Sequence, residues 1–348
     1  MIAVETAYGS DATGLIWGYH FKQGCAAVLV NAEQALTLLI NKPEFEQGEF
    51  LWLHFSVSNS SSVPWLKKQL QLPNAFFESL SVNAGAARLE QEKNGLVAVI
   101  HDVQLDLTFA NFTFANVIFE SSNVATSSLY VDSRLFVSAR LRPLRSLEQL
   151  RVSVRHGDRF ESSSDLLAHL LINQANVLLS ILRESTRRTD DIEDKFLAHR
   201  ISFSRSELGL LRRVLVRLQR LLAPEPATFF RLLNRPPLWI CAGDLQVLRQ
   251  AAEEFSAAVG DAQALIERVK LLQEELAALV NEQTNRTLHV LTLVTVLALP
   301  INLVAGLLGM NVGGLPLANS GFGFTLVVLV LAALTASLGY FALIRRRN

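Results

Sequence analysis

The spacing of apolar residues changes character twice along the chain, and each change marks a different kind of element. Up to about residue 160 the apolar positions come in short runs rich in Val, Leu, Ile and aromatics, at 26–30, 50–55, 96–100, 129–131 and 135–139. Gly, Asn and Asp bound these runs, a pattern that predicts β-strands. Between them, Ser61 and Ser62 followed by Pro64 predict the start of a short helix running through Trp65 to Gln71. Further helices are predicted over 76–80 and 144–154, so this part reads as mixed α/β.

From Ser164 the period becomes helical. Asp165 follows a run of serines able to cap a helix, and the residues after it place apolar side chains three and four apart. Ser204, Arg205, Ser206 and Glu207 form a capping-box pattern for a second helix, with Leu208, Leu211, Leu215, Leu218 and Leu222 in one seam. Pro224 and Pro226 are expected to end it. After Pro236 and Pro237 the period runs without interruption from Leu245 to Gly309, 65 residues, or about 100 Å of helix. Its main seam passes through Leu248, Phe255, Ala262, Ile266, Val269 and Leu276, and a second row holds Leu265, Leu272 and Leu279. Two apolar rows predict neighbours on both sides of this helix, as in a ring of helices.

The last seventy residues are apolar in a different way. Thr287 to Met310 contains no Asp, Glu, Lys or Arg over 24 positions, and a second such run covers 322–344. About 20 apolar residues in a helix cross the hydrocarbon layer of a membrane. Two spans joined by a short loop predict a hairpin. Arg286 precedes the first span and Arg345, Arg346 and Arg347 follow the second, which places both ends in the cytoplasm and the loop outside.

Composition narrows the function. Thirty-two basic and thirty-two acidic residues give a formal net charge of zero, against a nucleic-acid footprint. Cys25 and Cys241 offer neither a disulfide framework nor a CxxC pair, as suits a reducing cytosol. The first residues have no basic stretch before an apolar one, so no secretory signal is expected. The seven histidines form no close pair, and no nucleophile with a base, phosphate loop or paired catalytic carboxylates stands out, so an enzyme is not expected.

Charge is nevertheless unevenly spread. Between Arg183 and Arg235 there are twelve Lys or Arg against seven Asp or Glu, the composition of a solvated helical face. From Glu253 to Glu282 seven acids face only Arg268 and Lys270. If several copies of this stalk converge, Glu274 or Glu282 becomes a ring of negative charge that concentrates cations; a solvated outer face is the competing reading. Steps of three and four lead upward from there through Asn285, Leu288, Leu291, Thr295, Leu299, Asn302, Gly306 and Gly309. Amides and hydroxyls are costly against lipid, so Asn302 is expected to line a water-filled lumen. For Thr292 and Thr295, hydrogen bonding between helices is the alternative. His289 neighbours this register, as a ligand or as an interfacial contact.

Gly309, Met310 and Asn311 close the first span, and Val312-Gly313-Gly314-Leu315-Pro316 follows. This resembles the CorA-type metal-ion transporter family, whose signature is a Gly-Met-Asn triplet ending the first of two C-terminal membrane helices. Asn285, Leu291, Thr292, Thr295, Pro300 and Gly306 match as well, and Leu51-Trp52-Leu53-His54-Phe55 with Trp65-Leu66 resembles the opening of ZntB-like cytosolic domains. The loop after the triplet is more similar to the ZntB-like zinc-transporter branch than to the magnesium branch. Its residues 312–321 hold no carboxylate, so an external acidic ring is not expected.

The resemblance implies a funnel-shaped homopentamer with an α+β cytosolic domain, a long helical stalk and a two-helix transmembrane hairpin. The corresponding boundaries are 1–160 for the α/β domain, 161–240 for a helical hairpin and 241–286 for the cytosolic stalk. Then come a pore-lining span at 287–310, a periplasmic loop at 311–321, a second span at 322–344 and a basic tail at 345–348. The implied function is divalent-cation transport across the bacterial inner membrane, with zinc as cargo and protons as a candidate coupling ion. Mg²⁺, Co²⁺ and Ni²⁺ are the other candidates, and no cofactor is expected. A ring of Asn311 amide oxygens would hold the ion through its water shell, which small divalent ions shed reluctantly; a helix C-cap is the plainer reading of the triplet. The alternatives are a magnesium or cobalt channel of the same family and a membrane-tethered cytosolic sensor.

Overall fold

The computed structural model describes residues 9–41, 45–46, 48–80, 87–92, 94–103, 124–197, 204–310 and 321–345. The chain forms two compact units, Met1–Gln273 and Glu274–Asn348.

The first unit is built on a seven-stranded sheet. Its strands are β1 (Leu15–Phe21), β2 (Val28–Leu29), β3 (Phe50–Ser56), β4 (Arg88–Glu92), β5 (Gly95–Val103), β6 (Val124–Val131) and β7 (Leu135–Arg140). They lie in the order β2-β1-β3-β7-β6-β5-β4, antiparallel except for the parallel pair β3 and β7. Both faces are covered, which is why the central strands read as nearly unbroken apolar runs rather than alternating ones. On β3, Phe50 and Trp52 join one core, while Leu51, Leu53 and Phe55 join the other.

The helices divide between these faces. Helices α1 (Ala32–Asn41), α2 (Ser62–Gln69) and α3 (Asn74–Ser79) close one core with Ala35, Leu66 and Phe76. Helices α4 (Arg145–His156), α5 (Ser163–Leu197), α7 (Pro224–Asn234) and the start of α8 (Ala242–Leu308) close the other, with Leu147, Leu167, Phe229 and Leu248. Helix α6 (Ser204–Leu222) lies between α5 and α7 in sequence, and α9 (Gly323–Arg345) follows α8.

Strands appear at each of the five predicted runs, although 26–30 supplies only the two exposed residues of β2. β1 and α1 go beyond the prediction. Gly18 interrupts the apolar run of β1, and it does so because the β2 end passes close by. A Cβ there would stand 2.7 Å from the Val30 carbonyl, whose N–H bonds Gly18 O at 2.8 Å.

Local capping differs from the expectation at one end and agrees at another. Ser61 makes no side-chain cap for α2; Ser62 Oγ instead donates to Ser56 O at 2.5 Å. At α5 the serine run does cap: Ser162 Oγ accepts the Asp165 N–H at 2.9 Å, while Asp165 Oδ2 accepts the Glu161 N–H at 3.1 Å. Pro224 and Pro226 follow the end of α6 as expected, but they also open α7, where a proline in the first turn costs no hydrogen bond. The stretch read as a two-helix hairpin at 161–240 therefore carries three helices.

Candidate functional site

The candidate pore register rides on α8, a single helix of 67 residues that continues through Pro300. Its first part is fixed inside the first unit. Ser162 and Ser164 hydroxyls both donate to Asp244 Oδ2 at 2.5 Å, tying the start of α8 to the start of α5. Phe255, Ala252 and Val269 are fully buried. Arg268 bonds Asp190 and Glu193 of α5 at 2.7 and 2.5 Å. Across the helix, Arg212 and Gln219 of α6 bond Gln273 and Gln263 at 3.3 and 2.6 Å. The pairs 212 with 273 and 219 with 263 run in opposite senses, so α6 is antiparallel to α8, whereas α5 runs parallel to it.

The expectation of two independent apolar rows needs correction here. Leu265 and Leu272 are buried beside Ile266 and Val269, so both rows form one broad stripe covered within the chain. Only Leu279 of the second row is exposed. A helix packed between two others of its own chain needs a stripe this wide.

The second unit is different. Every residue from 281 to 290 is exposed, and most of those to 310 are as well. The proposed register is therefore open in the single chain: Leu288 is 54% exposed, Leu291 61% and Leu299 65%. Asn285, Thr295, Asn302, Gly306, Gly309, Glu274 and Glu282 are exposed too. So are Val290, Val294 and Leu303 elsewhere around the helix. α8 is long and apolar enough to cross a membrane, with none of its apolar window buried. α5 passes the same composition test but is mostly buried in the first unit, as a core helix should be. α9 adds 23 residues, about 34 Å of helix.

Within the span the hydroxyls are satisfied locally. Thr292 and Thr295 Oγ1 donate to Leu288 O and Leu291 O at 2.8 and 2.9 Å, and Thr287 and Thr284 do the same about one and two turns earlier. This back-bonding spends each hydroxyl proton inside the helix and leaves only oxygen lone pairs facing outward. Such an oxygen suits water or a cation better than an acceptor on a neighbouring helix. The N–H of Gly309 still bonds Ala305 O at 2.9 Å, and a Cβ on Gly309 would meet that carbonyl at 3.0 Å. At Gly306 nothing lies within 4 Å of where a Cβ would be, so its own chain does not require a glycine there. Asn311 and the loop through Ser320 lie outside the described residues.

Ionisable groups that no motif announced are buried in the first unit. Glu225 of α7 accepts from Gln174 Nε2 at 3.2 Å and from the His101 backbone, while Asp102 accepts from Ser146 N and Oγ, both at 2.8 Å. Burial pushes the Asp102 carboxyl up to about 7 and raises that of Glu225. On β3, His54 Nε2 accepts from Arg140 Nε at 2.8 Å; burial, with Arg140 and Arg151, lowers its affinity for a proton. No sequence pattern marks these groups, because their partners lie 44 to 124 residues away. Among the described residues no cluster of three or more His, Cys, Asp or Glu could hold a metal ion, and His289 is exposed.

Comparison with known proteins agrees with this architecture. Residues 47–346 match the family of CorA-like Mg²⁺ transporter proteins. The zinc transport protein ZntB of Pectobacterium atrosepticum is 24% identical over 292 residues, 83% of this chain and 85% of that protein. The divalent cation transporter CmaX of Pseudomonas aeruginosa is 29% identical over 333 residues, 93% of this chain and 94% of that protein. Among solved structures, full-length CmaX superposes with a TM-score of 0.78 at 25% identity, covering 98% of this chain and all of that one. The CorA magnesium transporter of Methanocaldococcus jannaschii shares the fold, with a TM-score of 0.72 at 17% identity over 93% of this chain and 96% of that one. With 300 of 348 residues inside the family match, the chain belongs to the CorA-like family.

Proposed function

We propose that this protein carries divalent metal cations across the bacterial inner membrane through a central pore of a homopentamer, with zinc as the cargo. The observation that carries this reading is the change of environment along α8. The helix is buried on one stripe down to Leu276, then runs 24 residues without a charge from Thr287 while its own chain leaves it uncovered. Lipid on one side and other copies of α8 on the other would supply the missing cover. In that arrangement α8 and α9 form the transmembrane hairpin, with both ends cytoplasmic. Asn285, Leu288, Leu291, Thr295, Leu299, Asn302 and Gly306 line the lumen.

Selection would rest on Gly309, Met310 and Asn311. Amide oxygens of Asn311 would accept hydrogen bonds from the water shell of the ion, and the outward lone pairs of Thr295 would do the same lower down. Glu274 and Glu282 would concentrate cations at the inner mouth. Zinc is favoured over magnesium because ZntB proteins are named for zinc transport and the loop at 312–321 lacks carboxylates.

Flux into liposomes, measured with Zn²⁺, Mg²⁺, Co²⁺ and Ni²⁺ in the presence and absence of a pH gradient, tests the proposal. Asn311→Ala is expected to abolish most of the flux while the purified oligomer stays intact. Full flux through an expressed Asn311→Ala protein would reduce the triplet to a helix cap. A protein with no flux for any ion, whose pore-register variants keep their cellular effect, would be a tethered sensor.

A further inference from the structure

The α5, α6 and α8 layer carries opposite charges on its two flanks. Along α6, Arg212, Arg213, Arg217 and Arg220 line a groove of about 990 Å³, with Val216 as part of its apolar wall and Gln273 of α8 at one end. Arg213 and Arg220 are exposed and make no ion pair among the described residues. The other flank ends in the last turns of α5, where Asp190, Asp191, Glu193 and Asp194 crowd into five positions. Carboxylates at a helix C-terminus oppose the helix dipole, and against these four acids the last turn carries only Lys195. Arg268 serves Asp190 and Glu193, and Asp191 and Asp194 remain exposed without an ion pair among the described residues.

These flanks do not neutralise each other within one chain. At about 100° per residue, Gln263 and Gln273, which bond α6, each sit about 140° around α8 from Arg268, which bonds α5. The basic groove and the acidic end are thus on different sides of α8, and they are unlike surfaces. A contact between unlike surfaces of identical chains is heterologous, and it repeats around a ring when the rotation between copies closes.

We infer that the arginine groove of α6 is the docking surface for the acidic α5 end of a second copy of this chain. The inference rests on the reading of the protein as an assembly of copies, and names the contact that sets their order around the ring.

The test uses the full-length protein in detergent, with oligomer size followed through a dilution series. Arg213→Glu with Arg220→Glu, and separately Asp191→Lys with Asp194→Lys, are each expected to raise the concentration of half-dissociation about tenfold. Joining the two pairs of reversals in one chain restores assembly to within about threefold of wild type. Arg213→Lys with Arg220→Lys keeps the charge and assembles normally. The proposal is overturned if either reversal assembles like wild type, if the combination is as weak as its parts, or if the lysine variant fails equally. It is also overturned if inorganic tripolyphosphate binds saturably to the wild type, is lost in the Arg213→Glu, Arg220→Glu protein, and the oligomer is unaffected; the groove would then belong to a soluble polyanion. Assembly is read without transport, so a wild-type oligomer that assembles normally yet carries no ion counts against the pore alone.

Discussion

Glu225 Oε1 accepts the backbone N–H of His101 at 2.5 Å and lies 3.2 Å from His101 Nδ1, joining α7 to β5 inside the first unit. The neighbouring Asp102 is equally buried, and each carboxyl is pushed above its ordinary range by loss of water. A carboxyl with a raised value in the folded state keeps its proton where the unfolded chain has lost it. Its favourable contribution is complete below the ordinary value of 3.8 and is lost as pH rises through about 7 for Asp102. The apparent melting temperature of the purified protein should therefore fall between pH 4 and pH 7.5. Asp102→Asn, which keeps an acceptor for Ser146, should flatten that slope. Tryptophan-fluorescence melts across this range would check it, and an unchanged slope would exclude Asp102 as the source.

Phe255 is fully buried on α8, whereas Glu253 two residues earlier is exposed. Phe255→Ala should lower the unfolding free energy of the first unit by about 3–5 kcal/mol. Glu253→Ala should change it by about 0.5 kcal/mol or less. Urea titration with tryptophan fluorescence reads this unit, since Trp17, Trp52, Trp65 and Trp239 all lie within it.

The proposed topology predicts accessibility. With exposed Cys25 and Cys241 replaced by serine, a cysteine at Ala318 should react in intact cells with a reagent that cannot cross the membrane. A tag placed after Arg347 should stay protected until the membrane is opened. Labelling of that tag in sealed cells would invert or abolish the hairpin.

The carboxylates of the stalk predict a salt effect. Residues 312–321 offer no side-chain charge, so Glu274 and Glu282 would supply the negative field along the axis. Glu274→Gln with Glu282→Gln should reduce flux at low ionic strength, and the deficit should shrink as salt rises, because exposed charges are screened within about 10 Å at 0.1 M. An equal deficit at both salt levels would indicate direct coordination; no deficit would place these groups on the solvated outside.

Much of this protein could be read along the chain because it depends on local order. The uncharged run from Thr287, the apolar run ending near Ile344 and the uninterrupted period behind them correspond to α8 and α9 within a few residues, since a helix closes its hydrogen bonds over four positions. The triplet at Gly309 pointed to the family for the same reason, its information lying in adjacent residues. Arrangements that join distant segments were not legible. β1 is a strand because β3 pairs along it and β2 crowds Gly18; nothing in its own residues marks that environment. Leu265 and Leu272 resembled a second, outward seam, and only the packing of one chain's helices around α8 shows them buried. Glu225 sits between two prolines that signal a break, yet it is the buried acceptor for a strand 124 residues earlier. Burial and charge pairing belong to surfaces brought together across the fold, and a linear pattern holds no record of which surfaces meet.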